Sequence, residues 1–307
     1  MKISTSQIFD KAVSQMNTQQ GKVAEMQAKL ATGKQLVKPS DDSDKAGLIQ
    51  RLNSALEQQQ VYENSLNTIS NRLSAEETAL MSTETLLQRV RELAVQASND
   101  TLTARDRQIV ALEVSALRDE FMALANTQDT TGNYIFSGSM VQTPPFAEDS
   151  NGDIAYQGDD NLVALNVSEQ RSLVMNRPGD EVFASVLRTQ AGLPDQRVGF
   201  FSVLEDFITG LETNDASAIQ LGLAEVSDLS DSLALSLADV GSRLEVVDSQ
   251  RMVLTDTKTR YEMLLSDAQD LDYASAVTKL SSEIMSLEAA QSSFMKISQL
   301  SLFNFLR

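Results

Sequence analysis

Three polar segments have residue types and spacings that could support chemistry. Gly33-Lys34 is similar to the end of a phosphate-binding loop, in which backbone N–H groups and a lysine hold phosphates. Segment 149–160 places oxygen-bearing side chains at alternating positions, as a calcium-binding loop does. The acidic segment 41–44 could supply carboxylate ligands to a divalent cation. Each segment also has a purely structural explanation.

The residues around the first two segments favour the structural explanation. A phosphate loop needs Gly and Ser or Thr where this chain has Ala28 and Gln35, so we interpret Gly33 as the C-terminal cap of a helix. A calcium loop needs Gly and Glu where the chain has Ile154 and Asp160. We therefore expect a hairpin turn there, since Asn-Gly between short apolar runs is a common hairpin signal.

The composition argues against enzymatic chemistry. The 307-residue chain contains no Cys and no His, so it has no thiolate nucleophile, no imidazole base, no catalytic triad and no Cys- or His-ligated metal. An enzyme would have to work with carboxylates, Lys or Tyr alone. We predict a non-enzymatic protein with no catalytic residue, no bound metal and no cofactor.

The charge argues against two classes of partner. The chain carries 43 acidic and 25 basic residues, a net charge of −18, which disfavours nucleic acid and an anionic membrane surface. No segment reaches the roughly 20 apolar residues of a spanning helix. Asp10 and Lys11 interrupt the apolar run that a signal peptide needs, so we expect no cleaved signal. Residues 281–307 carry two charges of each sign, which is compatible with packing between copies.

Two long stretches have the hydrophobic spacing of coiled coils. From Leu48 to Ala97, apolar residues recur at alternating intervals of four and three, without Pro or Gly. Segment 219–265 repeats the pattern after a cap at Asn214 or Asp215. The sequence predicts two long helices of similar length. Ser43 or Asp44 is the predicted N-cap of the first, where acidic residues favour the positive end of the helix dipole.

Shorter helices accompany the long ones. Thr103 with Asp106 three residues later predicts a capping box, followed by a helix with its own apolar seam. Segment 9–30 has apolar residues every seven positions and should end near Gly33. Segment 273–294 keeps the four–three spacing, with Tyr273 as its first seam position. The two long helices are similar in length, and so are the first and last helices. These matched lengths predict that each pair is antiparallel.

The terminal helices are the predicted assembly surface. A two-helix hairpin has a thin core, and the uncharged apolar tail at 297–306 adds surface that usually marks an interface. We therefore expect these helices to pack against neighbouring copies rather than mainly against each other. The predicted interface comprises Phe9, Val13, Met16, Val23 and Leu30, together with Val277, Leu280, Ile284, Leu287, Phe294, Leu300, Leu302, Phe303 and Phe305.

The middle of the chain has a different pattern. Gly, Asn, Asp and Pro separate short alternating runs such as 162–167, which is typical of strands and tight turns. We predict a mainly α fold: a long antiparallel helical rod with both termini at one end and a small β-rich domain inserted at the tip. The predicted domains are a terminal assembly domain (1–42 and 268–307), a rod (43–132 and 193–267) and a β-rich outer domain (133–192).

Several motifs resemble those of a known family. LATGKQLVKPSDDSDKAG at 30–47, GNYIFSGSMVQTPPF at 132–146, YQGDD at 156–160 and GDEVF at 179–183 are similar to segments of the bacterial flagellin superfamily. The closing helix at 270–306 resembles the family's C-terminal helix. Within the superfamily, the TGK, PSDD, YIFSG and SLFN motifs resemble the hook–filament junction proteins more than the flagellins.

The resemblance implies a structural role outside the cell. It implies a subunit exported without a cleaved signal through the flagellar type III apparatus, forming a ring with copies of itself between a hook-associated protein and the flagellin filament. It also implies a cytoplasmic export chaperone that binds the C-terminal helix. The terminal helices would form the inner core, and the β-rich domain would lie on the outer surface.

Two alternatives stay open on the sequence. Flagellin itself, the filament subunit, is the nearer one, since it shares the superfamily. A non-flagellar coiled-coil scaffold, such as a receptor stalk, is the other, and it predicts a membrane span or a receiver-binding tip that the sequence does not contain.

Overall fold

A computed structural model describes residues 2–149, 152–189 and 194–305, and within these residues the chain is mainly helical, as predicted. The helices are α1 (Lys2–Thr32), α2 (Ser43–Ala97), α3 (Ala104–Ala125), α4 (Gly179–Val182), α5 (Phe200–Glu212), α6 (Ala216–Gln269) and α7 (Tyr273–Phe305). The strands are β1 (Phe146–Glu148), β2 (Ile154–Tyr156), β3 (Ala164–Asn166), β4 (Ser172–Val174), β5 (Val186–Arg188) and β6 (Gln196–Val198).

The chain divides into two compact units. The terminal unit comprises residues 1–59 and 255–307, and the central unit comprises residues 60–254. The long helices α2 and α6 each contribute one part to both units. The three-domain division stays a prediction.

Local capping signals in the sequence predicted helix starts well, with one exception. Thr103 accepts from the Asp106 backbone N–H while the Asp106 carboxylate accepts from the Thr103 N–H at 3.1 Å, which completes the predicted capping box. Asp215 caps α6, as expected, through bonds from the first turn. For α2 the cap is Asp42, whose carboxylate accepts from two backbone N–H groups, and not Ser43 or Asp44.

The predicted seams of the long helices form the core of the central unit. Every predicted α2 seam position from Tyr62 to Ala97 is buried, and Leu66, Leu80 and Leu87 are completely inaccessible. Arg251 of α6 donates to Asn67 of α2 at 3.2 Å, and Arg89 of α2 pairs with Glu113 of α3 at 2.7 Å. The helices bury their apolar faces because each has a neighbour on that side.

The middle segment folds as the predicted insertion of short hairpins, which we call the insert (residues 126–199). Antiparallel pairs join β1 to β2, β3 to β4, and β5 to β6. At the first turn Asp149 N–H donates to Asp153 O at 2.8 Å, which confirms the hairpin expected there. The backbone of Gly138 has φ +68°, and a Cβ atom there would lie 1.9 Å from the Asp159 carbonyl oxygen.

Helix α5 and the aromatic cluster beside it were not predicted from the sequence. Helix α5 packs along α3 and buries Phe200, Phe201, Phe207 and Leu211. Phe200 meets Phe121 edge to face, with ring centroids 5.5 Å apart. The cluster comprises six of the chain's 11 phenylalanines, namely Phe121, Phe136, Phe146, Phe183, Phe200 and Phe201.

Candidate assembly surface

Helices α1 and α7 of the terminal unit form an antiparallel hairpin. The rings of Phe9 and Phe294 lie 4.6 Å apart, and the Gln19 side-chain amide donates to the Glu283 carboxylate and to the Glu283 carbonyl oxygen. Residue numbers fall along α7 as they rise along α1, which defines the antiparallel direction. The paired polar groups lie midway along an otherwise apolar contact and fix its register.

A tight joint connects α1 to the residues before α2. Helix α1 ends at Thr32, and Gly33 takes φ +69° while its N–H donates to Lys29 O at 2.9 Å, so the predicted C-cap is confirmed. The Gly33 carbonyl accepts from Leu271 N–H at 3.0 Å, and Gln35 N–H donates to Gln269 O at 2.8 Å. These backbone bonds attach the joint to the turn between α6 and α7.

The hairpin partly buries most of the predicted interface residues whose side chains are described. Val13, Met16, Val23 and Leu30 on α1, and Leu280, Leu287 and Phe294 on α7, are half-buried along the hairpin. The two helices contact each other within one chain, and their packing against other copies stays a prediction. Two helices of about 30 residues can cover one face of each other within a single chain.

A second face of α7 stays exposed, and we call it the outer stripe: Tyr273, Val277, Ile284 and Met295. These residues share one side of the helix because their separations of 4, 7 and 11 residues are close to multiples of the helical repeat. Their exposed fractions are 55%, 52%, 36% and 59%, and Phe9 of α1 is 38% exposed. An apolar row with this exposure is typical of a surface that another protein covers.

The face of α7 that contacts α1 differs in part from the predicted seam. The side chains that point into the hairpin, all partly or fully buried, are Ala276, Leu280, Glu283, Leu287, Ala290 and Phe294. The small residues Ala276 and Ala290 let the helices approach closely, and this was the signal in the sequence that favoured the observed phase. Val277 and Ile284, assigned to the seam, belong to the outer stripe instead.

The remaining predicted interface residues lie beyond the described side chains. Leu300, Leu302, Phe303 and Phe305 belong to the backbone of α7, but their side chains are outside the described residues. Their place in the interface stays a prediction.

A cavity of about 480 Å³ opens beside the joint, lined by charges of both signs. The charged residues in its walls are Glu25, Lys29, Asp41, Asp42, Lys45, Asp272 and Lys279. The positive and negative side chains nearly balance, so the cavity does not favour a ligand of one charge. Among the described residues, no three acidic side chains converge as metal ligands would.

The carboxylates of segment 41–44 are used by the backbone. Asp41 accepts from Lys38 N–H at 2.9 Å, and Asp42 caps α2. No helix in the described part of the chain is long and apolar enough to cross a membrane.

Sequence comparison shows which known proteins the chain is similar to. Residues 3–141 match the model of the bacterial flagellin N-terminal helical region. The flagellar hook-associated protein 3 of Escherichia coli is 29% identical over 316 residues, an alignment that covers 99% of both chains. The chain thus resembles the bacterial flagellin superfamily. The predicted resemblance is therefore confirmed, and it extends from one end of the chain to the other.

Other members of the superfamily separate the two flagellar alternatives. A flagellin of Clostridium tyrobutyricum is 30% identical, but the alignment covers only 57% of this chain and 44% of the flagellin. The crystal structure of FlgL from Xanthomonas campestris has a TM-score of 0.63 at 21% identity, covering 70% of this chain and 99% of that one. The structural likeness supports the fold, and the full-length sequence match favours hook-associated protein 3 over flagellin.

The family motifs have physical roles in this fold. The TGK and PSDD motifs form the joint after α1 and the cap of α2. The YIFSG and QGDD motifs meet inside the insert, where Tyr156 donates to Phe136 O at 3.1 Å and Asp159 accepts from Ser139 N–H at 2.6 Å. Hydrogen bonds from Ser139 lower the pKa of Asp159, so the carboxylate stays ionised and keeps both loops together.

Proposed function

We propose that this chain is a structural, non-enzymatic subunit of the bacterial flagellum that forms the junction ring between a hook-associated protein and the flagellin filament. The observation that carries the proposal is the end-to-end match to flagellar hook-associated protein 3, which includes both terminal helices. Flagellin matches only part of the chain, so a filament subunit is the weaker alternative.

The terminal unit supplies the proposed contacts between copies. Its helices cover one face of each other and leave the outer stripe exposed. Burying such apolar side chains against the next subunit gives roughly 1.5–3 kcal/mol for each one that becomes fully covered. In a closed ring every subunit would present the stripe to the same neighbouring surface, so the gain repeats around the ring.

The partners and location follow from the same proposal. The ring would contact a hook-associated protein on one side and flagellin on the other, with the insert as an outer decoration. Export through the flagellar type III apparatus would need no cleaved signal, and a cytoplasmic chaperone would cover the C-terminal helix before export. Nucleic acid and membrane are not among the proposed partners, which agrees with the net charge of −18.

The test is a deletion strain examined by electron microscopy. We expect hooks without filaments, flagellin released into the medium, and recovery of filaments when the full chain is supplied. Normal filaments in the deletion strain would show that the chain is not the junction subunit. If hooks were absent as well as filaments, the chain would act at an earlier step of flagellar assembly.

A further inference from the structure

Four buried polar side-chain atoms lack a hydrogen-bond partner among the described residues, and they lie in one place. They are Arg72 Nε, Glu76 Oε1, Arg177 Nε and Arg243 Nη1. Buried polar atoms are nearly always paired, so several unpaired atoms in one place call for a physical reason. We call this group, with Asp239, the Glu76 cluster. It lies in the central unit where the insert contacts α2 and α6.

The ion pairs of Arg177 in the cluster are long, whereas Arg243 pairs with Asp239 at 2.7 Å. Arg177 of the insert lies 3.6 Å from the Glu76 carboxylate of α2 and 3.6 Å from Asp239 of α6, and its other nitrogen lies 3.5 Å from Glu181. Arg177 donates to the Ser236 carbonyl oxygen at 3.2 Å, and its contact with Glu181 is a long hydrogen bond. The charges attract one another, but no charged pair that includes Arg177 reaches close contact.

Glu76 is costly to ionise at this position. Its side chain is 2% exposed, and its Oε1 atom accepts no hydrogen bond from any residue that the structure describes. Burial raises the pKa of Glu76 to about 7, and the nearby Asp239 adds to the rise. Attraction by Arg177, Arg243 and Arg72 opposes the effect without cancelling it.

The cluster is one of the places where the insert is attached to the helices. Arg72 of α2 donates to the Ile135 carbonyl oxygen at 2.8 Å, and Ser236 of α6 donates to the Val182 carbonyl oxygen at 3.3 Å. Beside it, strand β4 and the two helices enclose a cavity of about 320 Å³ lined largely by apolar side chains. Packing on this side of the insert is therefore incomplete, which lowers the cost of local opening.

We propose that the Glu76 cluster is a proton-controlled latch between the insert and the long helices. With a proton on Glu76 the insert sits closed against α2 and α6. Loss of the proton favours an open arrangement in which this side of the insert lifts and water reaches the carboxylate. The charged groups that act on Glu76 are Arg72 on α2, Arg177 on the insert, and Asp239 and Arg243 on α6. Glu181 of the insert pairs with Arg177.

The direction of the pH effect follows from the difference between the two pKa values of Glu76. In the open arrangement the hydrated Glu76 has its ordinary pKa of 4.5, and in the closed arrangement its pKa is about 7. The closed form therefore binds the proton more tightly, and the opening constant rises as the pH goes from 4.5 towards 7 and then levels off. Between pH 5.5 and pH 8 these values give a rise of roughly 30-fold.

Thiol labelling can measure the opening, because the chain has no native Cys. Val247 lines the cavity and is 1% exposed, so Val247→Cys places a single thiol under the insert. Its labelling rate with 4,4′-dithiodipyridine would be divided by the rate for the urea-unfolded chain at the same pH. We expect this ratio to rise roughly 30-fold from pH 5.5 to pH 8.

Matched variants isolate the carboxylate. In the Val247→Cys background, Glu76→Gln should abolish the rise with pH, because Gln cannot ionise. Glu77→Gln, which removes the same charge from the next residue, should leave the rise intact. A ratio that does not change with pH in the parent, or a rise that persists in Glu76→Gln, would overturn the latch.

A second measurement needs no cysteine and covers the case in which Val247→Cys does not fold. Urea unfolding of the native chain and of Glu76→Gln would be compared at pH 5.5 and pH 8. Between pH 5.5 and pH 8, the unfolding constant of the native chain should rise up to roughly 30-fold more than that of Glu76→Gln. An equal change in both proteins would also contradict the proposal.

Discussion

The two units of this protein carry the same heptad pattern and bury it to very different extents. In the central unit Leu66, Leu80 and Leu87 are completely inaccessible, whereas in the terminal unit Ile284 is 36% exposed and Val277 is 52% exposed. The central helices pack in layers with α3, α5 and the insert. The terminal unit comprises α1, α7 and the adjoining ends of α2 and α6, while α3, α5 and the insert belong to the central unit.

The difference shows what a heptad pattern does and does not specify. The pattern indicates a helix with an apolar face, and the number of neighbouring elements decides how much of that face is covered within the chain. Where neighbours are few, the uncovered part is available to another molecule. Substitutions at equivalent seam positions should therefore affect stability in the central unit and assembly in the terminal unit.

The largest expected effect is from Leu80→Asp in the central unit. Leu80 is completely buried in the α2 seam, so the variant places an unpaired carboxylate in an apolar core. We expect a loss of at least about 4 kcal/mol of unfolding free energy, which is enough to unfold many domains. Circular dichroism melting and urea titration would measure it. An unchanged melting temperature would show that this seam is not the core of the unit.

A smaller loss should follow Arg107→Ala, at the loops between helices of the central unit. Arg107 donates to the Ala97 carbonyl at 3.1 Å and to the Asn214 side chain at 2.6 Å, so it ties the loop after α2 to the turn before α6. Losing these bonds and leaving their buried acceptors without a partner should cost about 3 kcal/mol. Urea unfolding would measure the loss.

A neighbouring arginine provides the control for that loss. Arg105 is exposed on the first turn of the same helix, so Arg105→Ala should change stability by less than about 0.5 kcal/mol. Equal effects of the two substitutions would indicate that the loss of stability comes from the removed charge and not from the buried hydrogen bonds.

In the terminal unit, Gly33→Ala should have an intermediate effect. The φ of +69° disfavours any residue with a Cβ by roughly 1–2 kcal/mol. The new Cβ would lie 2.7 Å from the Tyr273 hydroxyl, which is the far end of a side chain and can move. We expect a cost of about 1–2 kcal/mol, seen as faster amide exchange of Leu271 and Gln35. Protection equal to that of the parent would contradict the strain at this joint.

The features that the sequence predicted were local. The capping box at Thr103, the cap at Asp215 and the stop at Gly33 depend on residues a few positions apart, so spacing alone determines them. The long seams were also predicted, because no Pro or Gly interrupts them from Leu48 to Ala97. The mainly helical fold with an inserted set of hairpins followed from these signals.

The features that the sequence did not predict depend on distant contacts. Helix α5 joins phenylalanines that are far apart in the chain, and a short apolar run such as 200–211 does not reveal its partners. Glu76 looked like a break in the α2 seam, but in the fold it faces Arg177, about 100 residues away. The phase of α7 depends on how closely α1 approaches, and the apolar spacing of α7 fits two adjacent phases.

The smallest expected effect on stability, and the sharpest test of the comparison, is Ile284→Asp. Ile284 lies on the outer stripe, where water already reaches it, so the isolated protein should lose less than about 0.5 kcal/mol. In an assembled ring the same carboxylate would be buried without a partner, at a cost of several kcal/mol for each contact. We therefore expect an unchanged melting temperature together with the loss of filament attachment and motility.

Ser282→Asp is the matched control for Ile284→Asp. It adds the same charge to the same helix at an exposed position on the opposite side, because two residues advance about 200° around the helix. A ring that uses the outer stripe should tolerate Ser282→Asp and reject Ile284→Asp. Normal swimming of the Ile284→Asp strain would move the contact between copies off the stripe. A large loss of stability in that variant would mean that the hairpin, and not a neighbouring subunit, covers Ile284. The two units would then differ only in how deeply they bury their apolar seams.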